Sequence, residues 1–401
     1  MKTSRRPIGE LLEAVKGQQK VKRSSYQKFG SFPIVDQSQE LISGYIDDSA
    51  FLYNGNLPII VFGDHTRILK YVDFPFCVGA DGTQLLQPTK DIDIRYFYYA
   101  LRNINLESYG YERHFKYLKK AEISLPDQKQ QARISDILSA YDTLIANSQR
   151  RIMILESMAR ALYREWFVNL HFPGHETIPS IESSKGQIPQ GWEVRTFDSL
   201  LASMTGGDWG GEQPAARETE AVIVVRGTDF DEVAYGGQLR APVRYIKPSS
   251  LTSRGLKVGD VIIENSINAK SRCVGTTLLV DNSVLNRLGQ DAIAASFCKV
   301  LRPHQKELAP LIHLHARHLR EDGRMEYYQN VATNGIGNFQ AQKFSKEEYL
   351  ILPADEGERA RLLAPFSVIF GNIGLLASRL ANLRRTRDLL LPSLISGQID
   401  V

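Results

Sequence analysis

The chain has 401 residues, 43% of them hydrophobic and 23% charged, with a formal net charge of +4. This composition can supply the cores of two or three compact units, and its mild basicity permits a nucleic-acid partner without arguing for one. Cys77, Cys273 and Cys298 are odd in number and form no Cys-x-x-Cys pair, which excludes a disulfide framework and a zinc ribbon. No run reads as long enough to span a bilayer, and "MKTSRRPIGELLEAVKG" has no apolar signal core, so the expectation is a soluble cytoplasmic protein with no membrane partner.

Residues 1–126 read as a first globular unit, with a strand in "LPIIVFGD" and a helix in "IRYFYYALRNIN". The pair Leu125-Pro126 then opens a long helix over 127–169. Its positions Ile134, Leu138, Tyr141, Ile145, Ser148, Ile152, Leu155, Ala159, Leu162 and Trp166 alternate steps of four and three. A stretch rich in Pro, Gly and Ser, "HFPGHETIPSIESSKGQIPQGW", links this helix to a second globular unit over 170–352. There "AVIVVRG", "DVIIENS", "CVGTTLLV" and "IAASFCKVL" predict short strands, and "LAPLIHLHARHLRED" predicts a helix. A second pair, Leu352-Pro353, opens the last helix over 353–401. Its series is Leu362, Phe366, Ile369, Ile373, Leu376, Leu380, Leu383, Arg387, Leu390 and Leu394, apolar at every position but one.

A 4-3 apolar pattern held over more than four heptads is a coiled-coil seam, about 50 Å long at 1.5 Å per residue. A single stripe of this kind can pack on its own domain, whereas two matching copies most simply pair with each other. The repeat extends upstream, where "GYERHFKYLKKAEISLP" aligns with "GNFQAQKFSKEEYLILP". Gly110 thereby matches Gly337, Lys116 matches Lys343, Tyr117 matches Phe344 and Ile123 matches Leu350. Farther up, Gly63-Asp64 is set against Gly259-Asp260, which predicts a loop-rich insertion in the second unit. The fold expected is α+β. Two globular α/β domains are separated by two long helices that pair as an antiparallel coiled coil, in an internal pseudo-two-fold repeat. Ser148 and Arg387 read either as register-setting polar positions or as points of contact with a partner.

No catalytic constellation stands out. There is no Pro-Pro pair for an amino-methyltransferase loop, no Gly-Lys pair for a P-loop, no Gly-x-Gly-x-x-Gly and no Pro-Asp…Glu-x-Lys nuclease core. His313, His315 and His318 read as a wet helix face, because no carboxylate or cysteine lies at ligand spacing. Asp64-His65 reads as a turn aspartate beside a surface histidine. Candidate DNA contacts in the first unit are His65, Arg67, Lys70 and Tyr71 of "GDHTRILKY" and Arg113, His114 and Lys116 of "GYERHFK". In the second they are Lys270 and Arg272 of "NAKSR" and Asn334, Gln340 and Lys343 of "TNGIGNFQAQK". Arg reads guanine and Asn or Gln reads adenine by bidentate contacts, while Lys mostly meets phosphate. For any one of these a solvated surface residue is the commoner reading, and recurrence at matched places in both units raises the group above it.

The chain resembles the specificity subunits of type I restriction–modification enzymes, over nearly its whole length. The resemblance lies in "PIVDQSQELISGYID", "VFGDHTRILKYVDFPFCVGADGTQLL" and "LPDQKQQARISDIL" leading into "RIMILESMARALYREWFV". In the second half it lies in "IPQGWEVRTFDSLL", "LKVGDVII" and the terminal "LLPSLISGQIDV". It implies two target recognition domains, each reading one half of a bipartite double-stranded DNA site, and two antiparallel spacer helices whose flanks dock two methyltransferase subunits. It further implies S-adenosylmethionine on those subunits and a motor-nuclease subunit that uses ATP and magnesium. This chain would hold no cofactor, no metal and no catalytic residue. One departure is that the Gly191-Trp192 motif precedes only the second domain, while the first opens with "RRPIGELLEAVKG". The competing readings are a stand-alone DNA-binding regulator and a single-chain nuclease or methyltransferase.

Overall fold

The computed structural model describes residues 4–107, 112–267, 273–331 and 337–401. The chain divides into two compact units, Met1–Leu144 with Arg384–Val401, and Ile145–Leu383. Unit 1 contains β1 (Ser4–Pro7), β2 (Leu12–Glu13), β3 (Phe32–Val35), β4 (Gly44–Ile46), β5 (Ile59–Gly63), β6 (Leu69–Val72), β7 (Cys77–Val78) and β8 (Thr83–Pro88). Helices α1 (Ile94–Arg102) and α2 (Phe115–Lys120), strand β9 (Glu122–Leu125) and the start of the long helix α3 (Gln128–Tyr163) follow. Unit 2 begins within α3. It continues through the hairpin β10 (Ser180–Ser183) and β11 (Gly186–Pro189), then β12 (Trp192–Thr196), α4 (Phe197–Leu200), β13 (Leu201–Gly206), β14 (Glu220–Val225), α5 (Phe230–Ala234), β15 (Val243–Ile246) and α6 (Pro248–Arg254). Next come β16 (Val261–Glu264), β17 (Ser266–Ile267), β18 (Thr277–Leu279), α7 (Asn282–Leu288), β19 (Ala292–Ala294), β20 (Cys298–Pro303) and α8 (Ala309–Glu321). The last elements are β21 (Gln329–Val331), β22 (Gly337–Phe339), α9 (Ala341–Glu347), β23 (Tyr349–Pro353) and the second long helix, α10 (Glu356–Ile395).

Among the described residues, each of the nine strands of unit 1 has a counterpart in unit 2, which adds the β10–β11 hairpin and the sheet β17-β22-β21. Each unit has a four-stranded antiparallel sheet, ordered β2-β8-β5-β6 in unit 1 and β13-β20-β16-β18 in unit 2. Each has a three-stranded sheet, β4-β3-β7 or β15-β14-β19, whose central strand pairs antiparallel on one side and parallel on the other. In each, the first strand pairs with the last: Arg6 faces Ile123 in β1·β9, and Arg195 faces Leu350 in β12·β23. The missing Gly-Trp motif therefore costs unit 1 nothing. Ile8 and Leu11 follow β1 into the core just as Phe197 and Leu200 follow β12. Burying a side chain of this size stabilises by about 1.5–3 kcal/mol, enough to hold a short strand in place. The all-apolar runs of β5 and β14 are covered on both faces, which is why they do not alternate.

Several expectations are corrected by this topology. Gly63-Asp64 ends β5, whereas Gly259-Asp260 precedes β16. Strand register instead sets Gly63 against Glu264, since these face the first residues of β8 and β20. The extra residues of unit 2 are not one loop; they build α5, α7 and β21 in separate connections. The stretch read as a linker folds in part into the β10–β11 hairpin.

The histidines of α8 are buried, not wet. His313 Nδ1 lies 2.9 Å from Thr277 Oγ1, and burial pushes its pKa down to about 3. His315 lies between the Tyr163 hydroxyl (2.6 Å) and Glu348 Oε1 (2.9 Å), and His318 meets Asp322 at 3.2 Å. Glu348 also accepts from Tyr328 (2.6 Å) and faces Arg324 (3.4 Å). Burial works to raise its pKa, yet the bonds from His315 and Tyr328 hold it below the usual carboxylate value.

In unit 1 the start of α3 meets the end of α10, and in unit 2 the rest of α3 meets the earlier part of α10, so within each unit the two helices run antiparallel. In unit 1, Ile134 and Leu138 pack with Leu391, Leu394 and Ile395, beside half-buried Tyr141 and Leu390. Arg387 turns into this seam and pairs with Asp142 at 2.7 Å, a polar pairing inside the helix pair. In unit 2, Ile145 and Ile152 pack with Ile373, Leu376, Ala377 and Leu380, flanked by Leu155, Ile369 and Leu383. Leu362 and Phe366 join Ala159 and Tyr163 in the main core of unit 2, with Leu162 and Trp166 against it. Ser148 is buried. The expectation that no run could span a bilayer fails on length and composition, because α10 holds a window of mean hydropathy 1.6. Its seam positions are nevertheless packed against α3 and the unit cores.

Candidate nucleic-acid interface

In unit 1, four connections converge on one end of the sheets. The turn after β5 is held by Asp64, which is 1% exposed. Its Oδ1 accepts from Phe115 N (2.8 Å) and its carbonyl from His114 N (2.9 Å), so it caps α2. Its own N–H donates to Gly82 O at 2.7 Å, tying in the β7–β8 turn. The β3–β4 loop closes the cluster through Gln37, whose Oε1 accepts from His65 N (3.2 Å) and whose carbonyl accepts from Thr66 Oγ1 (2.6 Å).

His65, Arg67, Arg113 and Lys116 are exposed on this surface. Arg67 sits at φ 63, in the left-handed region, and its Nη1 donates to Leu106 O at 2.8 Å. Lys116 pairs with Glu112 at 2.7 Å, which raises its pKa, and its ammonium stands 4.7 Å from the centre of the Tyr117 ring. Two chosen residues are instead structural. Lys70 is 5% exposed; its ammonium donates to Glu40 O and lies 4.0 Å from Asp36. Burial lowers its pKa, opposed by Asp36 and Glu40. His114 is 1% exposed, with Nδ1 3.0 Å from Asp64 O. Neither side chain can reach a phosphate from inside the fold, so both leave the contact set. Tyr71 packs against Tyr98 (5.7 Å between centroids) with the Arg95 guanidinium over its ring, beneath α1.

Unit 2 builds the same cluster from the same connections. Asn265 stands where Asp64 stands, one residue past the strand. Its N–H donates to Phe297 O (2.9 Å) in the β19–β20 turn, and its carbonyl accepts from Phe339 N (2.7 Å) ahead of α9. Its side-chain oxygen is buried with no hydrogen-bond partner among the described residues. Ser266 adds a bond to Asn338 at 3.0 Å. Lys270, Arg272 and Asn334 lie outside the described residues. Gln340 opens α9, its N–H on Tyr328 O (2.8 Å) and its carbonyl accepting from Phe344 N (2.9 Å). Lys343 places its ammonium 3.4 Å from the centre of the Tyr327 ring and donates to Tyr327 O at 3.1 Å. Lys116 and Lys343 thus share one device on matched helices: an ammonium held over a tyrosine ring, a cation–π contact.

The sequence reading passed over Gln37, Tyr327 and Phe297. Tyr327 is 59% exposed, and its signal was the aromatic pair in "MEYYQN" beside a polar loop. Phe297 is exposed at the rim, 5.8 Å from Trp209. Gln37 had no local signal, because it acts on a turn far along the chain. Among the described residues no group of His, Cys, Asp or Glu side chains is placed to hold a metal ion.

The family model for the type I restriction modification DNA specificity domain matches residues 2–157, which span the unit 1 sheets and most of α3. Over those residues the chain is similar to type I specificity subunits. It is 36% identical over 90 residues to the type I restriction enzyme MjaIX specificity subunit of Methanocaldococcus jannaschii, a stretch covering 22% of this chain and 21% of the relative. It is 31% identical over 126 residues to the putative MjaX specificity subunit of the same organism, 27% of this chain and 28% of that one. The matched stretches thus span less than a third of either curated relative. The crystal structure of the type I restriction–modification S subunit from M. genitalium superposes with a TM-score of 0.62, over 98% of this chain and 96% of that one, at 14% identity. At that identity the likeness is one of fold.

Proposed function

We propose that this chain is the DNA-reading subunit of a type I restriction–modification complex, and that each unit reads one half of an asymmetric bipartite duplex site. The observation that carries this reading is the repeated loop cluster. The same connections meet at the same end of the same sheets, and each presents a lysine stacked on a tyrosine. The surrounding loops differ in length and sequence, as two different half-sites require. Phosphate contacts position such a reader and base-edge contacts specify the sequence. In this reading residues 1–126 and 170–352 are the two readers, and 127–169 and 353–401 the spacer helices. Exposed apolar residues on those helices, Met153, Ile154 and Met158 on α3 and Val368, Leu375 and Leu389 on α10, support docking of two methyltransferase subunits. S-adenosylmethionine belongs to those subunits, and ATP and magnesium to a motor-nuclease subunit. This chain contributes no chemical step and works in the cytoplasm.

The test is a genome-wide map of adenine methylation with and without the gene. Loss of one asymmetric bipartite motif on deletion is the expected result. An unchanged map, together with failure to co-purify a methyltransferase, would overturn the reading.

A further inference from the structure

Helices α5 and α7 have no counterparts in unit 1. The β3–β4 and β6–β7 connections there carry no helix, whereas β14–β15 contains α5 and β18–β19 contains α7. Both inserted helices reach the same stretch of α10. Ser283 donates to Gly374 O at 2.6 Å and meets Ser378 Oγ at 2.9 Å. Arg287 Nη1 reaches Ser283 Oγ (2.6 Å) and Ser378 Oγ (3.4 Å). Its Nε and Nη2 donate to Val233 O (2.8 Å) and Ala234 O (3.1 Å), the carbonyls at the end of α5. Tyr235, the next residue, bonds Glu156 of α3, which Arg317 of α8 also holds at 2.8 Å. Gly236, at φ +67, lies so close to α10 that a Cβ there would collide with Ala377 O. These contacts surround a cavity of about 250 Å³ lined by Glu156, Tyr235, Arg287, His313 and Arg317. The inserted segments therefore hold the long helices through these polar contacts and through the Tyr235 ring, which packs against the apolar α3–α10 seam. At their other ends they join the loop cluster: α5 follows Gly227, which lies against Glu264 beside Asn265, and α7 leads through β19 to the turn carrying Phe297.

We infer that α5 and α7 brace the second loop cluster at a set position on the helix pair, with Ser283, Arg287 and Tyr235 as positioning residues for half-site spacing. This rests on the DNA-reading function proposed above. Without the brace, unit 2 keeps its loops and hence its half-site, but loses its fixed offset from the helices and tolerates a wrong spacer. The experiment uses the full chain with its methyltransferase partner. Affinities are measured for a duplex with the native spacer, duplexes one base pair longer or shorter, and a duplex bearing the second half-site alone. Arg287→Ala should cut the preference for the native spacer by about tenfold while half-site binding stays within about twofold. Gly236→Val, which pushes the brace off α10 with Arg287 intact, should do the same, and Arg287→Lys should restore part of the preference. Undiminished spacer preference in both variants overturns the brace, as does an equal loss of half-site binding, which would mark a purely structural role. If the wild type itself shows no spacer preference, the bipartite reading fails first and the brace falls with it.

Discussion

Unit 1 and unit 2 fold matched strands in the same order, yet they secure α3 and α10 differently. In unit 1 the contact is spare: α1 lies on the helix pair, and Asp142 accepts from Tyr99 (2.7 Å) and Arg387 (2.7 Å) and faces Arg102 at 3.8 Å. In unit 2 the matched helix α8 makes the equivalent pairing, Arg317 to Glu156, and α5 and α7 are added to it. The two units also bury different polar groups at matched positions. Strand register sets Glu348 at the place of Ala121, and helix register sets His313 at the place of Tyr98. One topology thus tolerates two interiors, because strand pairing depends on backbone hydrogen bonds and the polar interior depends on which partners surround each site.

The largest test of this contrast is Glu348→Ala. It leaves His315, Tyr328 and Arg324 without their shared acceptor and should destabilise unit 2 by about 3–5 kcal/mol. The unfolding transition assigned to unit 1 should stay where it is, and equal shifts of both transitions in urea would defeat the assignment. Leu138→Ala and Leu380→Ala come next, each removing a fully buried seam residue at a cost of about 2–5 kcal/mol. Leu138 should affect unit 1 and Leu380 unit 2. Leu375→Ala, exposed on the same helix, should stay within about 0.5 kcal/mol.

Acid should separate the units further. His313 is neutral in the fold, with a pKa lowered to about 3, so its stability contribution is present above the unfolded histidine value and lost as pH falls below it. The unfolded chain then binds a proton that the fold refuses, and stability should drop by about 1.4 kcal/mol per pH unit from about pH 6.5 downward. Urea midpoints for the two units measured from pH 7 to 4 would contradict this if they fell in parallel. The smallest effect is on DNA. Lys116→Ala or Lys343→Ala should weaken binding to all sequences alike and lower the salt slope by about 1. An unchanged slope in either would remove that lysine from the phosphate contacts.

The parts legible in the sequence are those in which neighbours along the chain carry the signal. The 4-3 series from Ile134 and from Leu362 marked both long helices, because a helix repeats its own face every few residues. The runs in β5 and β14 marked strands, and Lys116 and Lys343 lie on matched helices, each over a tyrosine, although Tyr117 and Tyr327 are not matched residues. The parts that were misread depend on distant partners. Lys70 looked like a surface cation until Asp36 and Glu40 enclosed it. His114 looked like a loop contact until Asp64 took its ring, and the α8 histidines looked wet until Thr277, Tyr163 and Glu348 met them. The pairing of Gly63-Asp64 with Gly259-Asp260 failed because dipeptide identity carries no strand register.

By itself, then, the sequence determined that a unit and a long helix occur twice, since periodicity and repetition are properties of the chain alone. Only the tertiary structure decided which polar residues face outward, where the loops of each unit converge, and that α5 and α7 turn back onto α10. Those outcomes depend on which groups meet across the fold, and a buried lysine, histidine or glutamate is stable only once such partners are in place.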